Sequence, residues 1–266
     1  MERIRSGDAE IGYEVMGKGP PLVLLHPFPA HHGFWAPLAE RLATRYRVIL
    51  PDLRGHGDSE VGEGPATMEK HAVDLARVCD AAEAGRAVFV GVSIGGYILF
   101  EFWRRSRQRV QALILSDTRA QADTAEGRAN RLKSAEDVLQ RGPEPFIDAM
   151  LPKLLGESTH QGRPDLVQAA KRMMMKMSAQ GIAQVQRGMA ARPDSVETLK
   201  SIQVPTLLLV GSEDTLTPVA DAEFMRQNIP GSQLRIIARA GHYAAFEQSE
   251  AALPLLRHFL DGLTAQ

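Results

Sequence analysis

A single cysteine, Cys79, stands among 266 residues, so no disulfide can form within the chain. That fits a reducing compartment. Neither sign of charge dominates. Lys and Arg number 31 against 32 Asp and Glu, which leaves no electrostatic footprint for nucleic acid. His26, His31, His32, His56, Asp52 and Asp58 fall near one another, yet no metal-ligand spacing such as His-Glu-x-x-His occurs. Long apolar runs are missing too. The longest, Ala87 to Trp103, is broken by three glycines, a serine and Glu101. It reads as a buried strand and helix rather than a membrane span. The opening residues, Met1 to Asp8, lack the apolar core of a signal peptide. These absences predict a cytoplasmic protein with no membrane, nucleic-acid or metal partner.

What is present is a rhythm. Hydrophobic residues make up 44% of the chain, enough for a substantial core. Arg3 to Val15 reads as a hairpin turning at Ser6-Gly7-Asp8. Short apolar strands follow at Leu22–Leu25, Arg47–Leu50, Ala87–Val90, Val110–Leu115, Pro205–Val210 and Gln233–Ala238. Helical patterns separate them: Phe34–Thr44, with Pro37 in its first turn; Thr67–Asp80, capped by Thr67 with Val73 and Val78 on its apolar face; Tyr97 onward; Val219–Asn228; and Glu247–Leu263. Alternation of this kind predicts an α/β fold with a mostly parallel sheet covered by helices on both faces. Between Arg119 and Lys200 the rhythm breaks into helical patterns without a strand, a stretch too long for a loop. The expectation is a core of residues 1–118 and 201–266 with an inserted helical cap, 119–200, over the carboxyl ends of the strands, where open α/β sheets bind ligands.

The chain turns on Gly91-Val92-Ser93-Ile94-Gly95-Gly96, between the strand ending at Val90 and the helix that follows. Gly-x-Ser-x-Gly at a strand-to-helix turn sets a serine hydroxyl clear of the sheet, in a strained backbone that only near-naked neighbours allow. An alkyl hydroxyl needs a base, and the base an orienter. His242, in Ala240-Gly241-His242-Tyr243 after the last strand, is the expected base. Asp214, in the loop after Thr206–Val210, is the expected orienter, with Asp117 and Glu213 as its competitors. Oxyanion donors are expected at the Ile94 amide and at Phe28, which has the one amide N–H in Pro27-Phe28-Pro29.

These residues resemble the capped α/β-hydrolase superfamily, in its esterase, lactonase and perhydrolase-like branch, over most of the chain. Leu25-His26-Pro27-Phe28-Pro29 is similar to the family's His-Gly-x-Pro oxyanion loop, with Pro27 in place of glycine. Asp52-Leu53-Arg54-Gly55-His56-Gly57-Asp58-Ser59 resembles its Asp-x-Arg-Gly-x-Gly-x-Ser loop. Gly211, Asp214 and Pro218 match its acid loop, and Gly241-His242 its histidine turn. The order Ser93, Asp214, His242 is the family's order. Among its members, 3-oxoadipate enol-lactonase-like proteins are nearest in flavour. The resemblance implies a serine hydrolase acting on a small-molecule ester or lactone through an acyl-enzyme, with no cofactor.

Other chemistries share the scaffold. Dehalogenases and epoxide hydrolases carry an aspartate where Ser93 stands, and the epoxide enzymes need cap tyrosines, whereas Tyr13, Tyr46, Tyr97 and Tyr243 all lie outside 119–200. Carbon–carbon bond hydrolysis, perhydrolysis and a hydrolase-fold small-molecule receptor stay open, as does the oligomeric state. For the substrate pocket the candidates are Phe28, Phe146, Met173 and Met177, with plain core packing the alternative for the methionines. Trp35 and Trp103 read as core, and Arg119 as a surface arginine or a partner for a substrate carboxylate.

Overall fold

The computed structural model describes residues 1–264. The chain opens with β1 (Glu2–Ser6), β2 (Ala9–Met16) and β3 (Pro21–Leu25), then a 3₁₀ turn, α1 (Ala36–Ala43), β4 (Arg47–Pro51) and α2 (Met68–Ala81). Next come β5 (Ala87–Val92), α3 (Ile94–Ser106) and β6 (Val110–Ser116). A helical stretch follows: α4 (Ala125–Arg141), α5 (Pro143–Leu154), α6 (Glu157–Gly162), α7 (Pro164–Met174), α8 (Ala179–Ala190) and α9 (Val196–Leu199). The chain closes with β7 (Thr206–Gly211), α10 (Val219–Asn228), β8 (Gln233–Ile237), α11 (Ala244–Glu247) and α12 (Ser249–Thr264).

Among the described residues the strands form one eight-stranded sheet, in the order β1-β2-β4-β3-β5-β6-β7-β8. The β1/β2 and β2/β4 pairs are antiparallel and the rest parallel. Alternation along each strand sends its side chains to two faces. Val23, Leu25, Ile49, Phe89, Leu113 and Leu208 join one apolar layer with Leu75 and Val78 of α2 and Ile98 and Phe102 of α3. Leu22, Leu24, Val48, Val88, Ile114 and Leu209 join the other with Leu38 and Leu42 of α1 and Leu253, Leu256 and Leu260 of α12. Trp35 and Trp103 are both buried. This is the doubly covered, mostly parallel sheet that the strand–helix rhythm predicts, in the α/β-hydrolase fold that the resemblance implies.

Two details differ from the sequence reading. Val73 is 44% exposed on α2, because its neighbours Ala72, Leu75 and Val78 already occupy the buried stripe. The closing helix is preceded by a separate short helix that the sequence reading did not include. A short α11 packs its apolar residues inward, and α12 begins only at Ser249. Thr67 does cap α2, its hydroxyl accepting from the Lys70 amide at 3.2 Å. No helix among the described residues is long and apolar enough to cross a membrane.

The loop after β4 locks the sheet to its surroundings. Asp52 Oδ1 accepts from the His32 amide (2.7 Å) and ring Nδ1 (2.9 Å), and Oδ2 accepts from the Asp58 amide (2.8 Å). Buried Arg54 reaches Asp74 of α2 through two bonds (2.9 and 2.8 Å) and Asp8 of the β1–β2 turn through a third (2.6 Å).

Candidate active site

Ser93 joins β5 to α3 with φ 55° and ψ −113°. Such a conformation is sparsely populated for a residue with a side chain and costs on the order of 1–3 kcal/mol. Glycines make it possible. A Cβ on Gly91 would come within 2.5 Å of the Gly95 carbonyl carbon, and one on Gly95 within 3.0 Å of Leu25. The turn is tied down on both sides: the Ser93 amide donates to Ser116 O (3.0 Å) and Thr118 Oγ1 donates to Ser93 O (2.7 Å). Ile94 is the first residue of α3, so its amide has no intrahelical acceptor.

Asp214 lies in the turn after β7. Its Oδ1 accepts from the amides of Leu216 (2.8 Å) and Thr217 (3.0 Å), while Oδ2 accepts from Thr217 Oγ1 (2.6 Å) and faces His242 Nδ1 at 2.8 Å. Burial opposes its charge, but the His242 contact and the Thr217 bonds outweigh that and hold the carboxyl below its ordinary range. A carboxylate so placed keeps the imidazole proton on Nδ1 and leaves Nε2 as an acceptor. The competitors have other engagements. Asp117 accepts from the Gly211 amide (2.8 Å) and the Ser116 hydroxyl (2.6 Å). Burial and then the Asp214 charge push its carboxyl well up. Glu213 is held by the Ser158 amide (2.9 Å) and hydroxyl (2.5 Å).

Ser93, His242, Thr217 and Phe28 line one cavity of about 190 Å³. The helical stretch supplies Met150, Leu154 and Met189 to it. Phe28, just beyond β3, is buried, and its carbonyl accepts a long bond from Tyr243 Oη (3.4 Å). Phe146 does not line this cavity. Its ring packs on Phe28 (centroids 5.7 Å apart) and faces a neighbouring cavity of about 190 Å³ between α4 and α5. Met173 and Met177 do not line it either. Met173 borders a surface groove beside α1, and Met177 is buried in the layer with α8. The spacing of those methionines reflects packing between helices, and Met150 and Met189 take the wall positions instead.

Several lining residues went unread in the sequence: Tyr97, Arg131, Lys153 and Gln186. Arg119 lines the cavity as well. Glu247 carries no motif either, yet its carboxylate accepts from Gly156 N (2.7 Å) and Gly241 N (2.9 Å), pinning the α5–α6 linker against the turn that holds His242. A buried acidic residue in an apolar helix is the one signal that could have marked it.

His31, His32 and Asp52 bring three potential metal-ligand atoms within 4.8 Å of one another. They do not line the Ser93 cavity, and the Asp52 oxygens already bind the His32 and Asp58 amides. His26 likewise serves the loop, contacting Pro27 O through Nδ1 (2.9 Å) and accepting from the Leu53 amide at Nε2 (2.9 Å).

Residues 20–249 match the family model for the alpha/beta hydrolase fold. The chain is 29% identical over 244 residues to 3-oxoadipate enol-lactonase 1 of Acinetobacter baylyi, covering 92% of this chain and 90% of that one. A solved thermophilic esterase from Thermogutta terrifontis, with malate bound, superposes with a TM-score of 0.96 at 38% identity, over 99% of each chain. The enol-lactonase of Burkholderia xenovorans superposes with a TM-score of 0.91 at 25% identity, over 98% of this chain and 100% of that one.

Proposed function

This chain belongs to the alpha/beta hydrolase family, and on that premise we propose that it is a serine hydrolase cleaving carboxylic esters or lactones through an acyl-enzyme. The observation that carries the reading is the 2.8 Å contact from Asp214 Oδ2 to His242 Nδ1, on a cavity shared by His242 and the strained Ser93. The likeness to esterases and enol-lactonases supports the same reaction class.

In the proposed sequence His242 Nε2 takes the Ser93 proton as Oγ attacks the substrate carbonyl carbon. The Phe28 and Ile94 amides donate to the oxyanion of the tetrahedral intermediate. His242 passes its proton to the leaving alcohol oxygen, and the carbon–oxygen ester bond breaks. Water, deprotonated by the same imidazole, then attacks the acyl-enzyme and releases the acid and the free serine. Asp214 stays ionised throughout and stabilises the imidazolium. No step calls for a metal or a cofactor. We read residues 119–200 as the cap that closes this cavity, with 1–118 and 201–266 as the core. Contributions of Met150, Leu154 and Met189 from α5 and α8 support that division.

The test is hydrolysis of p-nitrophenyl esters of increasing acyl length by the wild type and Ser93→Ala. The expected result is turnover that falls by about a thousandfold or more in the variant. Full activity of Ser93→Ala would sink the assignment.

A further inference from the structure

We propose that the preferred substrate carries a carboxylate in addition to its scissile ester, and that Arg119 and Lys153 select it. The proposal rests on the serine-hydrolase reading and narrows it to a substrate class.

Charge in the Ser93 cavity is one-sided. Its lining holds Arg119, Arg131 and Lys153, and no aspartate or glutamate. Over the whole chain, 31 basic residues face 32 acidic ones, so this concentration of cations is local. The three are not equally committed. Arg131 is bound through Nε to Asp123 (2.6 Å) and through Nη1 to Gln186 (2.9 Å). The same Asp123 also pairs with Arg192 at 2.8 Å, so one carboxylate serves two guanidinium groups. Arg119 is less well matched. One Nη donates to Leu216 O, Asp221 stands 3.8 Å from Nε, and that buried Nε has no hydrogen-bond acceptor. Lys153 forms no ion pair among the described residues and stands at the exposed side of α5.

A half-buried guanidinium on a cavity wall, with its hydrogen bonds only partly filled, is a recognition element for a carboxylate. Position supports the role. Arg119 follows Thr118, whose hydroxyl holds the Ser93 carbonyl, and it bonds Leu216, two residues beyond Asp214. The charge on the loop after β6 is therefore tied to the serine turn and to the loop of Asp214. Size sets the scale of the substrate. A cavity of roughly 150 Å³ accepts benzene, so about 190 Å³ suits a group of a few carbons ending in a carboxylate.

The experiment compares charged esters with neutral isosteres. Monoethyl glutarate is set against ethyl 5-methylhexanoate, and 4-acetoxybutanoate against 4-methylpentyl acetate, so the carboxylate is offered on either side of the ester. Wild type is expected to favour at least one charged ester by about tenfold or more in kcat/KM, with the preference shrinking at high salt. Arg119→Met should cut that ratio about tenfold through KM, Arg119→Lys should restore part of it, and Lys153→Met should cut it about threefold. Equal or faster hydrolysis of both neutral isosteres by wild type overturns the proposal. So does a ratio unmoved in Arg119→Met and Lys153→Met. Where Arg119→Met fails to fold, the exposed Lys153→Met carries the comparison alone. Hydrolysis of p-nitrophenyl butyrate, run beside Ser93→Ala, separates the two readings. Absence in wild type of hydrolysis of every ester offered, charged and neutral alike, rejects the hydrolase reading and the proposal together, while hydrolysis without charge preference rejects the proposal alone.

Discussion

Asp214 spends all four of its close contacts on two neighbours' amides, one hydroxyl and one imidazole. Its geometry is thus set before any substrate arrives. Replacing it with asparagine keeps the shape but offers an amide where His242 Nδ1 needs an acceptor. Asp214→Asn is expected to lower kcat by roughly 10³–10⁴ with little change in thermal stability, read by steady-state kinetics and a melting curve. Cys79 gives the complementary expectation. It is buried, and burial pushes its thiol up to about 12. Thiolate is the reactive form, so iodoacetamide at neutral pH should leave the native protein unlabelled and fully active, as mass spectrometry and an ester assay would show. Labelling only after denaturation would fit the same account.

At the level of elements, the loop after β4 carries much of the fold's polar structure. The Asp52 hydrogen bond raises the His32 pKa, and its charge adds to this against the opposing effect of burial. A group whose folded pKa is raised stabilises the fold fully below its unfolded value, near ~6.5 for histidine, and loses that contribution as pH rises through the folded value. His32→Gln is therefore expected to be most destabilising near pH 5.5 and progressively less so toward pH 9, relative to wild type in urea titrations. A penalty independent of pH would assign the contact to packing alone. The same loop was legible as a motif in the sequence because each of its special positions is local. Gly57, for example, has φ 50° and lies hard against the Asp52 carboxylate. The wall of the cavity was not legible in that way. Met150 and Met189 reach it while Met173 does not, although all three sit on amphipathic helices, and Met177 falls in the bend between α7 and α8. Periodicity marks a buried side of a helix but does not say what that side faces.

Taken whole, the molecule is held together by links between distant segments. Arg54 joins the β1–β2 turn, the loop after β4 and α2 through Asp8 and Asp74, and is itself buried. Arg54→Met would leave Asp74 buried without its partner, which is expected to cost about 3–5 kcal/mol in chemical denaturation. Arg54→Met/Asp74→Leu should recover part of that loss by removing the stranded charge as well. Glu247 makes a second such link, between the helical stretch and the turn of His242.

Local chemistry alone determined the strand and helix alternation, the strained serine turn and the positions of Asp214 and His242 at strand ends. Each depends on residues a few places apart: apolar alternation for a strand, a glycine where a Cβ would collide, a carboxylate beside amides that it can accept from. Tertiary structure decided which carboxylate meets the imidazole, since Asp117 and Glu213 sit at similar sequence positions and turn to other partners. It also decided that Arg119, Arg131 and Lys153 share one cavity with Ser93. Those side chains come from a loop and two helices, and only the packing of the helical stretch over the sheet edge brings their charges to one place.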